Sequence, residues 1–363
     1  MKKLDRYILQ MFLKTFFFSL MLFTLIAVAV DASEKAEDFI KTGFTTAQIF
    51  RLYYIGFIPH IISLLFPVFV LISVVFFTSR LAFRSEVVAI LSTGVSLRRF
   101  LIPYWIGGLI LSLILGISNH FLIPVANKIR TDFENRYINM GNVKSQNTQY
   151  LTNLHFRIDS STYAGIRSFD TITKTGQGFF LAKMKAQRME YNIRSEQISW
   201  DTLKKEWKLI NVIERRIGNP EESVVHIDSM TIRLGYLPSD LSPDETKKDY
   251  LNTPALIRLI GKEKRRGSEG LTALLFERYR RDAYAVSVIL MTLIAAILAA
   301  RKVRGGSGLH LALAFIIGVL FILTDKFSMA FSTKGNFHPV LAAWMPCIIF
   351  GIIAYMLYRK APQ

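Results

Sequence analysis

Two runs of 28 residues, Leu52–Ser79 and Phe100–Asn127, contain no Asp, Glu, Lys or Arg. About 20 apolar residues in a helix cross a bilayer, so each run spans with tilt. The stretch between them, SRLAFRSEVVAILSTGVSLRRF from Ser79 to Phe100, then has to turn at one membrane face. It sets Arg80, Arg84, Arg98 and Arg99 against a single acid, Glu86. A short helix is predicted inside it, over about 85–94. Ser85 is the expected N-cap, Glu86 lies in the first turn where the macrodipole favours an anion, and Gly94 closes the helix. Its body, Val87, Val88, Ile90 and Leu91, is too apolar for a solvated loop. Such a helix offers an apolar surface and one carboxylate to a partner outside the membrane. The plainer alternative is a helix resting on the headgroups.

Four further spans follow from the same criterion. Met1–Tyr7 is basic, and an apolar run continues to Val30, broken only by Lys14, which can snorkel. This run is too long for a signal-peptide core and more spans follow it, so it reads as the first transmembrane helix. Asp31–Arg51 reads as a polar loop. Ala283–Ala300, Gly305–Thr324 and Gly335–Tyr358 complete six spans. Pro59, Pro67 and Pro103 fall inside spans, where neighbouring helices can satisfy the freed carbonyls. Composition agrees: 51% of the 363 residues are hydrophobic, 28 are Phe and the mean hydropathy is +0.32. The one cysteine, Cys347, lies in an apolar run and reads as a packing residue.

Between residues 128 and 270 the pattern changes. TYAGIRSF, GFFLAKMKAQRMEYNI, EQISWDTL, EWKLINVIERRI and SVVHIDSMTIRL alternate with period two and are rich in Val, Ile, Tyr, Phe and Trp. Turn material such as Lys174–Gly178 and Gly218–Pro220 divides them. These are antiparallel strands, enough for one small β-sandwich or jelly roll, open edge or trough included. A basic amphipathic helix is predicted over Pro254–Arg266. The fold class is therefore a polytopic α-helical membrane protein with six transmembrane helices and an inserted antiparallel β domain. Its parts are 1–127 (three spans and the short helix), 128–270 (β domain and basic helix) and 271–363 (three spans).

The net charge of +18 reflects membrane topology and an anionic partner rather than nucleic acid. Met1–Tyr7, Arg80–Arg99, Arg301–Arg304 and Arg359–Gln363 hold 12 Lys/Arg against 2 acids. The opposite short loops, Asp31–Arg51 and Asp325–Lys334, hold 5 against 5. The positive-inside rule puts both termini and the short helix in the cytosol and the β domain on the far side.

No P-loop, H-E-x-x-H, G-x-S-x-G or Cys/His ligand cluster occurs, so no nucleotide, metal or nucleophile site is expected on this chain. His60, His120, His310 and His338 lie in or near spans and read as hydrogen-bonded packing residues. Cations gather on the far side. Lys128, Arg130 and Arg136 follow the third span, and Arg278, Arg280 and Arg281 precede the fourth. On a continuous helix Arg278 and Arg281 share a face and Arg280 points elsewhere. Glu134, Glu277 and Asp282 offer local ion pairs. The functional alternative is a basic collar that grips phosphate or carboxylate on a lipid headgroup.

LDRYI at Leu4–Ile8, RSEVVAILSTGVSLRRF at Arg84–Phe100, WDTLKKEWKL at Trp200–Leu209, L-T-D-K around Asp325 and W-M-P around Trp344 come in a characteristic order and spacing. Along essentially its whole length the chain resembles the LptF/LptG family of lipopolysaccharide export permeases. The resemblance implies a subunit of an ABC-type exporter in the inner membrane of a Gram-negative bacterium. It implies a paired homologous permease around a lipid-sized cavity, and a separate cytosolic ATPase dimer that binds the ATP and Mg and docks on the coupling helices. No cofactor is implied on this chain. The β domain, jelly-roll-like in the family, would pass lipopolysaccharide to a periplasmic bridge of similar folds. Glu86 falls on the family's acidic coupling position, with Arg84, Val87, Val88, Ile90, Leu91 and Gly94 around it as the docking helix. Arg130 and Arg136 lie near positions that contact substrate. Some members carry a lysine at the end of the first span where this chain has Asp31, and Lys35 or Lys41 would stand in for it.

Two other classes fit the same spans: a non-transporting scaffold that organises envelope proteins, and an ion-driven lipid carrier. Carriers usually keep an intramembrane ionisable group, and none of the six apolar runs holds an acid.

Overall fold

The computed structural model describes residues 3–138, 150–185, 188–202, 204–218, 222–241, 247–266, 270–301, 307–335 and 337–360. Lys2, Lys302 and Arg304, counted above for topology, lie outside the described residues, as does the turn at Asn219–Pro220. In chain order come α1 (Lys3–Glu34), α2 (Ala36–Thr42) and α3 (Thr46–Ile49), which runs through a π turn at Phe50–Tyr54 into α4 (Ile55–Phe83). Then follow α5 (Glu86–Ser92), α6 (Leu97–Ile117), a π turn at Ser118–Leu122, α7 (Ile123–Phe133) and a π turn at Glu134–Ile138. The strands are β1 (Tyr150–Arg157), β2 (Thr162–Asp170), β3 (Thr175–Lys185), β4 (Arg188–Asp201), β5 (Glu206–Ile217) and β6 (Glu222–Ile232). The last helices are α8 (Pro238–Leu241), α9 (Lys247–Tyr250), α10 (Thr253–Arg266), α11 (Leu271–Ala299), α12 (Ser307–Lys334) and α13 (Pro339–Arg359). The chain forms two compact units. The first is Met1–Phe133, Lys248–Leu256 and Thr272–Gln363; the second is Glu134–Lys247 and Ile257–Leu271.

The first unit is helical. Among the described residues six helices are long and apolar enough to cross a membrane, as the sequence predicts. α11 is its axis: Val288, Met291, Ile294, Ala295, Ala296 and Ala299 are fully buried. Its backbone carbonyls receive side chains from the surrounding helices. Ser112 Oγ donates to Ala285 (2.7 Å), Cys347 Sγ to Ala283 (3.0 Å), and Tyr284 Oη in turn donates to Leu64 of α4 (2.6 Å). α1 packs along one stripe, Ile8, Phe12 and Phe16, spaced by four so that all face the same side. Phe12 lies so close to α6 that a Cβ on Gly107 would sit 2.4 Å from its ring. Only glycine permits that approach.

The helices outrun the apolar runs. α1 continues past Val30 to Glu34, α11 starts twelve residues before Ala283, and α12 continues past Thr324 to Lys334. The expected polar loop after the first span is mostly helical too, as the end of α1 with α2 and α3. Backbone hydrogen bonding does not stop where hydrophobicity stops if the polar residues find partners. These extensions carry Asp31, Glu277 and Asp325, all buried. The acid-free count holds for the apolar runs and fails for the helices.

The second unit holds one antiparallel sheet in sequential order β1 to β6. The segment GFFLAKMKAQRMEYNI contributes to two strands, β3 and β4, and β1 adds a strand the alternation did not reveal. Pairing skips one row across the whole sheet: Asn153, Arg167, Gly178, Glu196, Asn211 and Asp228 each fall between paired neighbours. On alternate strands the residue in this row has positive φ: Asn153 (55°), Gly178 (68°) and Asn211 (55°). Asn and Gly are the residue types that enter this region most readily. Burial parity slips by one there. β5 buries Trp207 and Leu209 before the row but Val212 and Glu214 after it; β4 buries Ile193 and Ser195, then Ile198. The crease keeps one face inward along each strand, which lets a single meander enclose a core in jelly-roll-like fashion. Phe169, Ile198, Trp207 and Leu209 fill that core, and Trp207 Nε1 donates to the Tyr236 carbonyl at 2.8 Å.

Candidate functional site

At the end of the helical unit that bears α5, the backbone turns sharply at Ser85, which has φ +60°. Ser85 was the expected N-cap, but its side chain makes no capping hydrogen bond. The left-handed turn closing α4 takes it out of the extended geometry a cap requires. Gly94 does close the helix as expected, with φ +82° and its N–H on the Leu91 carbonyl. Val87 is fully buried, and Ile90 and Leu91 pack half-buried against the same core. These three anchor α5 rather than face outward, which corrects the reading of the whole apolar body as a presented surface. What remains outside is Glu86, 3.9 Å from Arg84, together with Val88 (49% exposed) and Phe83 (64% exposed). Phe83 was missed, although an apolar residue among the cations of this turn was a legible signal.

Two tethers join α5's surroundings to distant helices. Arg99 Nη2 donates to Asp5 Oδ2 at 2.6 Å, and Arg98 Nε donates to Tyr358 Oη at 2.7 Å. Asp5 is buried. The LDRYI and LRRF pieces of the sequence thus meet in space.

At the other end of this unit the collar cations are placed as follows. Lys35 pairs with Asp31 (3.2 Å), donates to Tyr53 Oη and lies 4.5 Å over the Tyr53 ring. Lys41 is exposed and pairs with Glu37 at 2.7 Å. The hydrogen bond and charge of Lys41 hold the Glu37 carboxyl below its ordinary range, and Glu37 raises Lys41 in return. Lys128 is exposed and Arg130 half-buried on α7. Arg136 is exposed and belongs to the second unit. The three arginines of α11 are committed to acids. Arg278 pairs with Asp282 (2.6 Å); Arg280 pairs with Glu277 (3.0 Å) and Asp325 (3.6 Å); Arg281 pairs with Glu277 (3.3 Å). The local pairs with Glu277 and Asp282 are therefore formed. The partition differs from the face argument, because Arg280 and Arg281 share an acid and Arg278 does not. Long guanidinium arms reach across a helix face. Arg281, only 4% exposed, is not available to a headgroup.

Around Arg281 lies the polar node the sequence did not reveal. Arg281 Nη1 donates to Thr253 Oγ1 (3.0 Å), and Nη2 donates to the carbonyls of Lys248 and Leu251 (both 2.9 Å). His120 bridges Thr253 Oγ1 (2.7 Å) and Asp282 (3.1 Å). Asn127 Nδ2 donates to the Asp249 carbonyl (2.8 Å), and its oxygen meets His60 Nδ1 (2.8 Å). His60 and His120 are thus hydrogen-bonded packing residues, as expected, and so is His310, whose Nε2 meets the Arg301 carbonyl at 3.0 Å. Burial, then the charge of Glu277, pushes the Asp249 carboxyl up to about 6 against the pull of Lys248, Arg280 and Arg130.

A helical membrane unit with a tethered extramembrane helix, joined to a creased β unit, has the build of a multi-pass permease subunit. The family model for the lipopolysaccharide export system permease LptF/LptG matches residues 6–360. The chain belongs to that family, whose members are permease subunits of lipopolysaccharide export and not catalytic chains. No curated protein matches the sequence.

Proposed function

We propose that this chain is the membrane half of an ATP-driven exporter that takes lipopolysaccharide from the outer leaflet of the inner membrane and hands it to a periplasmic bridge of β folds. One observation carries the reading. α5 is anchored by Val87, leaves Phe83, Arg84, Glu86 and Val88 uncovered, and adjoins the tethers to Asp5 and Tyr358. A partner pushing on α5 acts on α1, α4, α6 and α13 together. A cytosolic ATPase dimer that holds the ATP and Mg²⁺ fits this surface through apolar contact around one carboxylate.

A homologous permease pairs with this one. The apolar faces of α1 and α12, with Phe18 and Phe315 exposed, support that pairing around a lipid. The charge count supports cytosolic termini and a periplasmic β domain. Headgroup contact within the helical unit falls to its exposed cations, Lys128 and Lys41. Single exposed pairs are worth about 0–1 kcal/mol, so several must act together.

A second reading, an ion-driven carrier, is favoured by Glu277 and Asp325, buried in spanning helices. The test is affinity purification in mild detergent followed by lipid release from nanodiscs. The exporter reading expects a co-purifying ATPase, and loss of both the ATPase and ATP-dependent release in Glu86→Ala at normal expression. Normal export by that variant sinks it. Release from sealed proteoliposomes that ignores ATP and collapses with a protonophore supports the carrier, and a chain that purifies alone supports a scaffold.

A further inference from the structure

The chain passes between its two units four times, at residues 133–134, 247–248, 256–257 and 271–272. The middle two crossings bound a short strap, Lys248–Leu256, that belongs to the helical unit although both its flanks belong to the β unit. Leu256, fully buried, anchors one end of this strap. Over Lys248–Thr253 its polar groups hold it. The carbonyls of Lys248 and Leu251 both accept from Arg281 Nη2, and that of Asp249 accepts from Asn127 Nδ2. The Thr253 hydroxyl is held by Arg281 and His120 together. The same threonine opens α10, and Asn252 Oδ1 caps its first turn by accepting from Ala255 N (3.1 Å).

The grip comes from several spans. His120 lies in the π turn after α6, Asn127 on α7 is itself held by His60 of α4, and Arg281 projects from α11. α12 joins through the Asp325–Arg280 pair one residue away. A planar guanidinium with five fixed donors is suited to this. Arg281 spends its donors on one carboxylate, one hydroxyl and two carbonyls.

We propose that Arg281 is a positioning residue whose grip on the strap Lys248–Thr253 passes movement of the second, third and fourth spans into the β unit during transport. The inference rests on the exporter reading. Without the grip, the spans move and the strap slips, so ATP is hydrolysed with less lipid transferred.

The variant of choice is Arg281→Lys. It keeps a second cation beside Glu277, which also pairs with Arg280, but a single ammonium cannot replace the fork. Thr253→Ala removes one hydroxyl and carries the same readings if Arg281→Lys fails to assemble. The full complex in nanodiscs is read in two ways: hydrogen exchange of residues 248–253, and lipid transferred per ATP hydrolysed. The expected result is strap exchange about tenfold faster, with ATP hydrolysis retained and transfer per ATP reduced more than about twofold. Transfer per ATP within about twofold of wild type, with the strap loosened, overturns the proposal. Strap exchange at the wild-type rate, while wild-type transfer depends on ATP, overturns the grip alone. A wild-type complex whose transfer ignores ATP overturns the exporter reading and the transmission with it.

Discussion

At the α5 end of the helical unit Arg80, Arg84 and Arg98 stand exposed, and only Arg99 reaches a buried acid. At the opposite end Arg280 and Arg281 are drawn between helices and divided among Glu277, Asp325, Thr253 and two backbone carbonyls. Exposed cations cost little to hold and little to remove. Buried ones lose their hydration and stay only with several partners. The first arrangement suits a face that another molecule covers, and the second suits a joint that must not come apart.

The contrast can be broken by mutation, and the buried joint has the most to lose. Arg281→Ala leaves the buried Glu277 with Arg280 alone and strips a donor from three further buried or half-buried acceptors, so it should cost about 3–5 kcal/mol. A thermal midpoint in detergent equal to wild type would make the joint no stronger than the surface. Arg99→Ala is the comparable cut at the α5 end. It removes the 2.6 Å ion pair of the buried Asp5, and a loss of about 1–3 kcal/mol is expected. Increased proteolysis at the N-terminus of α1 would report it.

Asp249 sharpens the comparison through pH. Its carboxyl is raised from 3.8 to about 6 in the fold, so the folded state holds the proton more tightly than the unfolded chain. The stabilisation is fully present below about pH 4 and is lost as pH rises through about 6. Asp249→Asn should abolish that window and tighten the strap at neutral pH by about 1–2 kcal/mol. Hydrogen exchange of 248–253, corrected for intrinsic rates, should then be flat between these pH values. The smallest stability effect belongs to Glu86→Ala, within about 0.5 kcal/mol, because the side chain is partly exposed and its arginine is 3.9 Å away. A large destabilisation there would make Glu86 a structural residue and weaken the docking assignment.

Much of this was legible before any coordinates. The six spans follow from long apolar runs, charge-free but for Lys14, and the short helix from its cations, its acid and Gly94. What misled was local reasoning about ends. Ser85 resembles a cap until a left-handed turn removes the extended geometry. Val87, Ile90 and Leu91 look presented until their neighbours cover them. The node around Arg281 was hidden for a different reason. His120 and Thr253 are 133 residues apart, and Arg281 reaches its strap acceptors across 28 to 33 residues. No periodicity links them.

The β unit shows the same division. Alternation announced strands, but the crease through Asn153, Gly178 and Asn211 shifts the parity of burial by one residue, and a strict period-two reading assigns half of each strand to the wrong face. Which segments must leave water can be read from the chain alone, because transfer energy depends on composition over about 20 residues and is indifferent to the neighbours. Which charges became buried pairs depends on how the helices pack. An arginine can enter the interior only where folding has already assembled its acceptors, and those acceptors come from segments far apart in the chain.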